Sequence, residues 1–175
     1  MAIALTLSGC NFASQLLPPI PQLDTRPGQQ QNSLATAHSR ATAQMEAQVR
    51  QQINAIRLKR GLKQLRHNDK LAAVARNYSR QMQQQNFFGH TSPSGETMVQ
   101  RVQANGIFYI VLGENLFKCT NIPQPGKAAV QGWMNSPGHR ENILRPEYRE
   151  TGIGIWRKGN TYYFTQLFMR SLSLD

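Results

Sequence analysis

Apolar residues begin to recur at helical spacing after Ser39, where Met45, Val49, Ile53 and Ile56 stand three or four positions apart and Gly61 supplies a stop. Side chains at that interval share one face, so this is the first core helix. Asn68 opens a second helix as its cap, with Leu71, Val74, Ala75, Tyr78 and Met82 on one face. Asn86 to Ser94 has no such period and reads as a loop. A short third helix fits Glu96 to Ala104, closed by Asn105-Gly106, a pair that tolerates the left-handed conformation at a helix end. Phe108 to Leu112 is β-branched and aromatic, hence strand. A fourth helix from about Lys127 to Asn135 gathers Val130, Trp133 and Met134, and Pro137-Gly138 ends it. Gly152 to Trp156 and Thr161 to Met169 flank Lys158-Gly159-Asn160, whose Gly and Asn suit a tight β-hairpin.

Helices, a strand, a helix and a hairpin in that order predict an α+β fold, with a mostly antiparallel sheet of about three to four strands lying between helices. A chain of 175 residues is long enough for one such domain plus a tail. The domain is expected over residues 38–175. Ahead of it, residues 10–37 are rich in Pro, Gln, Ser and Thr, with Pro18, Pro19, Pro21 and Pro27, and read as an extended or disordered tether. Residues 1–9 end in Leu7-Ser8-Gly9 before Cys10, directly after the apolar run Ala2 to Leu7. This tetrapeptide resembles the lipobox of bacterial lipoproteins, in which small residues before the cysteine fit a narrow peptidase pocket. It implies a signal-peptide remnant, acylation at Cys10, and a protein held outside the cytoplasm on the cell envelope or secreted. No Lys or Arg precedes Cys10, which points to a start further upstream. If Cys10 is not acylated, a Cys10–Cys119 disulfide is the remaining pairing of the two cysteines.

The net charge of +11 changes the expected partners. Between Ala47 and Gly95 lie nine basic residues (Arg50, Arg57, Lys59, Arg60, Lys63, Arg66, Lys70, Arg76 and Arg80) against one acid, Asp69. Such a stretch is usually a solvated helix surface, and otherwise a patch for anionic lipid or an acidic envelope polymer. Nucleic acid fits the charge but conflicts with export, and a monomer is expected.

Three clusters carry ionisable groups at element boundaries: Phe88-Gly89-His90-Thr91-Ser92-Pro93, Gly113-Glu114-Asn115, and Trp133 to Ile143 with His139. Singly, each has a bland reading, since a loop histidine is usually a surface or capping residue. Together with Asn54-x-x-Arg57, Gly61-Leu62, Leu65, Thr151 to Ile155 and Thr165-Gln166-x-Phe168, they resemble the bacterial branch of the CAP superfamily, the SCP-like extracellular proteins. The resemblance runs from about Met45 to Met169 and implies an α-β-α sandwich. It also implies a cleft built on His90, Glu114 and His139, in which the His pair, with Glu114 as a further ligand, holds zinc or another divalent cation. Where many members have Trp-x-x-Glu, this chain reads Trp133-Met134-Asn135-Ser136, so one acid of the usual site is replaced. Two imidazoles and a carboxylate form the ligand set of many catalytic zinc centres, whereas a polar network of buried partners is the structural alternative. Glu141 lies two residues from His139 and would point away on a helix. Ser136, three before His139, has the right spacing, but Pro137-Gly138 are expected to break the geometry between them. Two functions follow. One is a non-catalytic envelope module that binds a ligand through this cleft or the basic helices. The other is a metal-dependent hydrolase of peptides or envelope polymers, with His90, Glu114 and His139 as its catalytic candidates.

Overall fold

The structure is a computed structural model that describes residues 27–172, and the side chains of residues 40–172. Cys10 and the lipobox-like tetrapeptide, together with residues 10–26 of the expected tether, lie outside the described residues. The chain runs α1 (Pro27–Lys59), β1 (Arg66–His67), α2 (Asp69–Gln84), α3 (Met98–Ala104), β2 (Tyr109–Thr120), α4 (Pro125–Asn135), α5 (Pro137–Leu144), β3 (Glu150–Lys158) and β4 (Thr161–Ser171). The sheet order is β1-β3-β4-β2, antiparallel except for the β1–β3 pair. Helices cover both faces, giving the expected α+β sandwich.

One cluster, built on Val49, Ile53, Trp133, Ile143, Ile153 and Phe164, fills the space between α1, α4, α5 and the sheet. On the other face Leu71, Val74, Ala75, Val102 and Leu167 join α2 and α3 to the sheet. The apolar periods therefore predict the correct buried faces. Asn68 caps α2 by accepting from the Leu71 amide at 2.9 Å. Thr97 and Gln100 form a capping box on α3. Gly159, at φ +56°, makes the β3–β4 turn.

Four expectations change. α1 starts at Pro27 rather than after Ser39, so the 27–37 end of the expected tether is helical. Proline suits a first helical position, and the Gln- and Ala-rich sequence behind it is compatible with helix but has no apolar stripe to betray one. β1 was not expected, because two polar residues carry no pattern. β2 continues to Thr120, so Gly113-Glu114-Asn115 lies mid-strand instead of at a strand end. Gly113 and Asn115 look like a turn in sequence. In the fold, a Cβ at position 113 would run into the Tyr148 hydroxyl, so the glycine marks a close approach rather than a break. Finally, Pro137-Gly138 ends α4 but also opens α5, with Pro137 as its first residue.

The sequence motif Asn54-x-x-Arg57 now has a physical role. Asn54 exchanges two hydrogen bonds with the Leu65 main chain, at 2.8 and 3.0 Å. Arg57 is wholly buried and donates to the carbonyls of Lys63, Ile143, Arg145 and Tyr148. Arg76 pairs with the buried Glu46 carboxylate, which also accepts from the Ile155 amide. The basic surface expected along the helices thus loses Arg57 to the interior, and Arg76 is neutralised.

Candidate functional site

The position of His90 is set through α2. That helix lies on β3 at Gly152 and Gly154, where any Cβ would collide with its backbone at Leu71, Ala72, Ala75 and Arg76. Ser79 locks the contact by bonding to the Gly154 carbonyl and the Thr165 hydroxyl, both at 2.9 Å. The residue before it, Tyr78, donates its hydroxyl to the Gly89 carbonyl at 2.5 Å, which anchors the loop immediately ahead of His90. Burial pushes the Tyr78 hydroxyl up to about 12, despite the opposing charge of Arg101, so it stays a donor throughout the neutral range.

Glu114 comes from the middle of β2 and is 6% exposed. One carboxylate oxygen meets Nδ1 of His90 at 2.8 Å, and the other accepts from Nη2 of Arg101 at 2.9 Å. Arg101 also donates to the carbonyls of His90 and Glu96, and its guanidinium lies 3.2 Å from the centre of the Tyr78 ring. A buried carboxylate is costly unless paired, and here an arginine pairs it. Because an ionised carboxylate only accepts, Nδ1 of His90 carries the proton, and in the neutral ring Nε2 is left as a lone-pair acceptor. His90 and Glu114 border an open cleft of about 310 Å³, with Thr91, Thr97, Met98 and Val99.

His139 sits on α5 beside this group. Its Nδ1 is 2.9 Å from the Ser136 hydroxyl, its carbonyl accepts from Asn115, and Asn115 in turn accepts from Asn142 at 2.9 Å. The Ser136–His139 pair that the Pro-Gly sequence argued against therefore forms, because Pro137 begins a helix and preserves the three-residue spacing. Asn142 also donates to the Glu114 carbonyl, tying α5 to β2. Burial first, and the neighbouring His90 second, hold His139 below the ordinary histidine range. A depressed folded pKa means that the unfolded chain takes up this proton first. His139 accordingly contributes stability that is complete above the unfolded value, roughly 6.5, and is lost as pH falls from there through the folded value. Urea denaturation of His139→Gln between neutral and mildly acidic pH is expected to show a shallower fall in stability than the parent.

The structure brings His90 and Glu114 into contact and sets His139 close enough to feel the charge of His90. Glu141 is exposed. Arg101, Tyr78 and Asn142 were not singled out from sequence as parts of the site. Tyr78 and Asn142 were hidden inside a core face and a motif, and nothing local marks Arg101 as the partner of a carboxylate on another element. The donor set does not fit a zinc centre. Both oxygens of Glu114 are engaged, one by a cation, which leaves only two imidazoles where such centres use three protein ligands. Among the described residues no group of three or more His, Cys, Asp or Glu side chains is arranged to hold a metal ion.

The family model for the cysteine-rich secretory proteins, CAP, matches residues 50–168. The chain belongs to this family. Among curated relatives, the uncharacterized protein YkwD of Bacillus subtilis is 36% identical over 138 residues, covering 79% of this chain and 51% of YkwD. The uncharacterized membrane protein YlbC of Bacillus subtilis is 35% identical, covering 71% of this chain and 34% of YlbC. The chain thus spans about half the length of one of these relatives and a third of the other. Of the solved structures, an extracellular SCP-domain protein from Bacillus anthracis superposes with a TM-score of 0.67 at 32% identity, over 74% of this chain and 41% of that one. An outer surface protein from Borrelia burgdorferi gives the same TM-score at 24% identity, over 74% of this chain and 95% of its own, a likeness of fold. Membership of the CAP family accounts for the order of the motifs along the chain.

Proposed function

We propose that this CAP domain is an exported, non-catalytic module that binds a small ligand in the cleft beside His90. The observation that carries it is the Arg101–Glu114–His90 chain of hydrogen bonds. It neutralises the buried carboxylate internally and orients the His90 ring, whose Nε2 in the neutral form is free to accept a hydrogen bond from a ligand. Met98 and Val99 line the same cleft with apolar surface. The ligand class this favours has a hydroxyl or amide donor next to an apolar body. In a fragment screen read by NMR, hits of that class should shift the signals of Thr97 to Val99 in the parent and fail to do so in His90→Ala. Fragments that bind the variant equally well would remove His90 from the account.

A hydrolase remains the second reading, because an imidazole oriented by a carboxylate is also the arrangement of a general base. Its metal-dependent form lacks a third donor. Cleavage of a mixed peptide library by the parent, abolished in Glu114→Gln, would replace the binding reading with the enzymatic one.

Export is supported by the likeness to an extracellular SCP-domain protein and by the lipobox-like Leu7-Ser8-Gly9-Cys10. Among the described residues no helix is long and apolar enough to cross a membrane. Attachment through an acyl chain at Cys10 is the form of anchoring we propose. Expressed from its complete gene, the parent should partition with membranes and the Cys10→Ser form should not; equal partitioning sinks the idea.

A further inference from the structure

At the end of the sheet where β1 begins and β4 finishes, strand register places Arg66 beside Glu150, Glu150 beside Met169, and Tyr109 beside Ser171. A pocket of about 370 Å³ opens there, lined by Lys63, Arg66, Arg149 and Arg170 with Ile110 at its side. It shares no lining residue with the His90 cleft. No carboxylate lines it. Glu150 lies next to it, but its oxygens accept from Asn68 at 2.6 Å and Ser171 at 2.7 Å, and its approach to Arg66 is 3.6 Å. Among the described residues Lys63, Arg149 and Arg170 form no ion pair. Arg149 is held in place by donating to the Pro146 and Tyr148 carbonyls.

A fifth cation stands behind these four. Arg57 is fully buried, and among the described residues no carboxylate pairs with it; its partners are main-chain carbonyls, one of them that of Lys63. Arg57 and Arg149 both donate to the Tyr148 carbonyl, at 3.5 and 3.0 Å, so the two guanidinium groups lie within each other's field. A buried positive charge with no internal counterion adds its potential to that of the pocket beside it. Glu150 offsets only the Arg66 charge, at 3.6 Å, so an anion entering the pocket would relieve the remaining repulsion as well as form new bonds.

We propose that this pocket binds phosphoryl groups. Three guanidinium forks and an ammonium suit a tetrahedral oxyanion with several acceptor oxygens better than a single flat carboxylate. Its volume lies at the lower end of the range for small-ligand pockets, about 300–1,000 Å³, so it has room for a diphosphate or a phosphate with its substituent. The exposed Ile110, Phe108 and Leu172 at the same end of the sheet can take an apolar substituent. Free phosphoryl compounds and phospholipid headgroups share this chemistry.

The test uses the whole chain carrying Cys10→Ser, so that no acyl chain contributes. Calorimetric titration with inorganic pyrophosphate probes the free form, and co-sedimentation with phosphatidylglycerol vesicles, against phosphatidylcholine vesicles, probes the headgroup. Saturable binding in either arm is expected, weakened roughly tenfold by Lys63→Gln and again by Arg170→Gln, both exposed changes that spare the core. Lys59→Gln with Arg60→Gln removes the same charge elsewhere and should leave binding within about twofold, apart from a general salt-dependent loss. Binding in neither arm, or an equal loss in the Lys59 and Arg60 variant, overturns the site. Binding at Lys63 and Arg170 is independent of the His90 cleft, so its failure leaves the cleft reading untouched.

Discussion

Gly154→Ala is expected to destabilise the domain by roughly 3 kcal/mol or more and to loosen the His90 loop with it. A Cβ there would fall inside the van der Waals envelope of the α2 backbone, at the Arg76 amide nitrogen and the Ala75 carbonyl carbon. Side chains at a crowded site can rotate away, but a helix backbone can only move as a unit. Lifting α2 would break the Ser79 bonds to Gly154 and Thr165 and withdraw Tyr78 from the Gly89 carbonyl. Urea denaturation measures the first effect, and amide exchange of residues 88–92 the second. A variant as stable as the parent would mean that the close helix–strand approach does not exist in solution. Gly159→Ala is the useful contrast, since its cost is confined to an exposed turn with no heavy atom within 4 Å of the added carbon.

Glu114→Ala is expected to cost about 3–5 kcal/mol, the loss typical of removing one partner from a buried ion pair. Arg101 is only 5% exposed, and it would be left with a carbonyl cage and an aromatic face but no counterion. Arg101→Met should cost a comparable amount, because it strands the carboxylate instead. The double variant is the deciding measurement. If the two groups act as a pair, its destabilisation by urea should fall well short of the sum of the single losses. Strict additivity would show that the two side chains do not meet. The same cycle separates support from recognition, since His90→Ala leaves the Glu114–Arg101 pair intact and should disturb stability far less.

The site works as a relay of position rather than as a collection of ligands. The sheet fixes Glu114, α3 brings Arg101 over it, α2 holds the loop before His90, and α5 supplies Asn142 and His139. Some of these contacts join elements far apart in the chain, with Asn142 and Glu114 separated by 28 residues and Ser79 and Thr165 by 86, while Arg101 and Glu114, on successive elements, are 13 apart.

That separation explains which features could be read in advance. Helical faces from Val49 to Met82, the Asn68 cap and the Gly159 turn depend on neighbours within a few positions, and local pattern was sufficient for them. The motifs singled out His90, Glu114 and His139, though not what each touches. The full length of β2 was hidden because Gly113 and Asn115 carry turn chemistry, and only the Tyr148 hydroxyl explains why a glycine stands in mid-strand. Pro137 looked like an interruption because a proline ends one helix and begins the next equally well, and the Ser136–His139 bond depended on which. Arg57 counted in sequence within the basic stretch as well as in a motif, and Arg101 was not singled out. Burial is a property of the assembled layers, and it turned one into a main-chain clamp and the other into the counterion of Glu114.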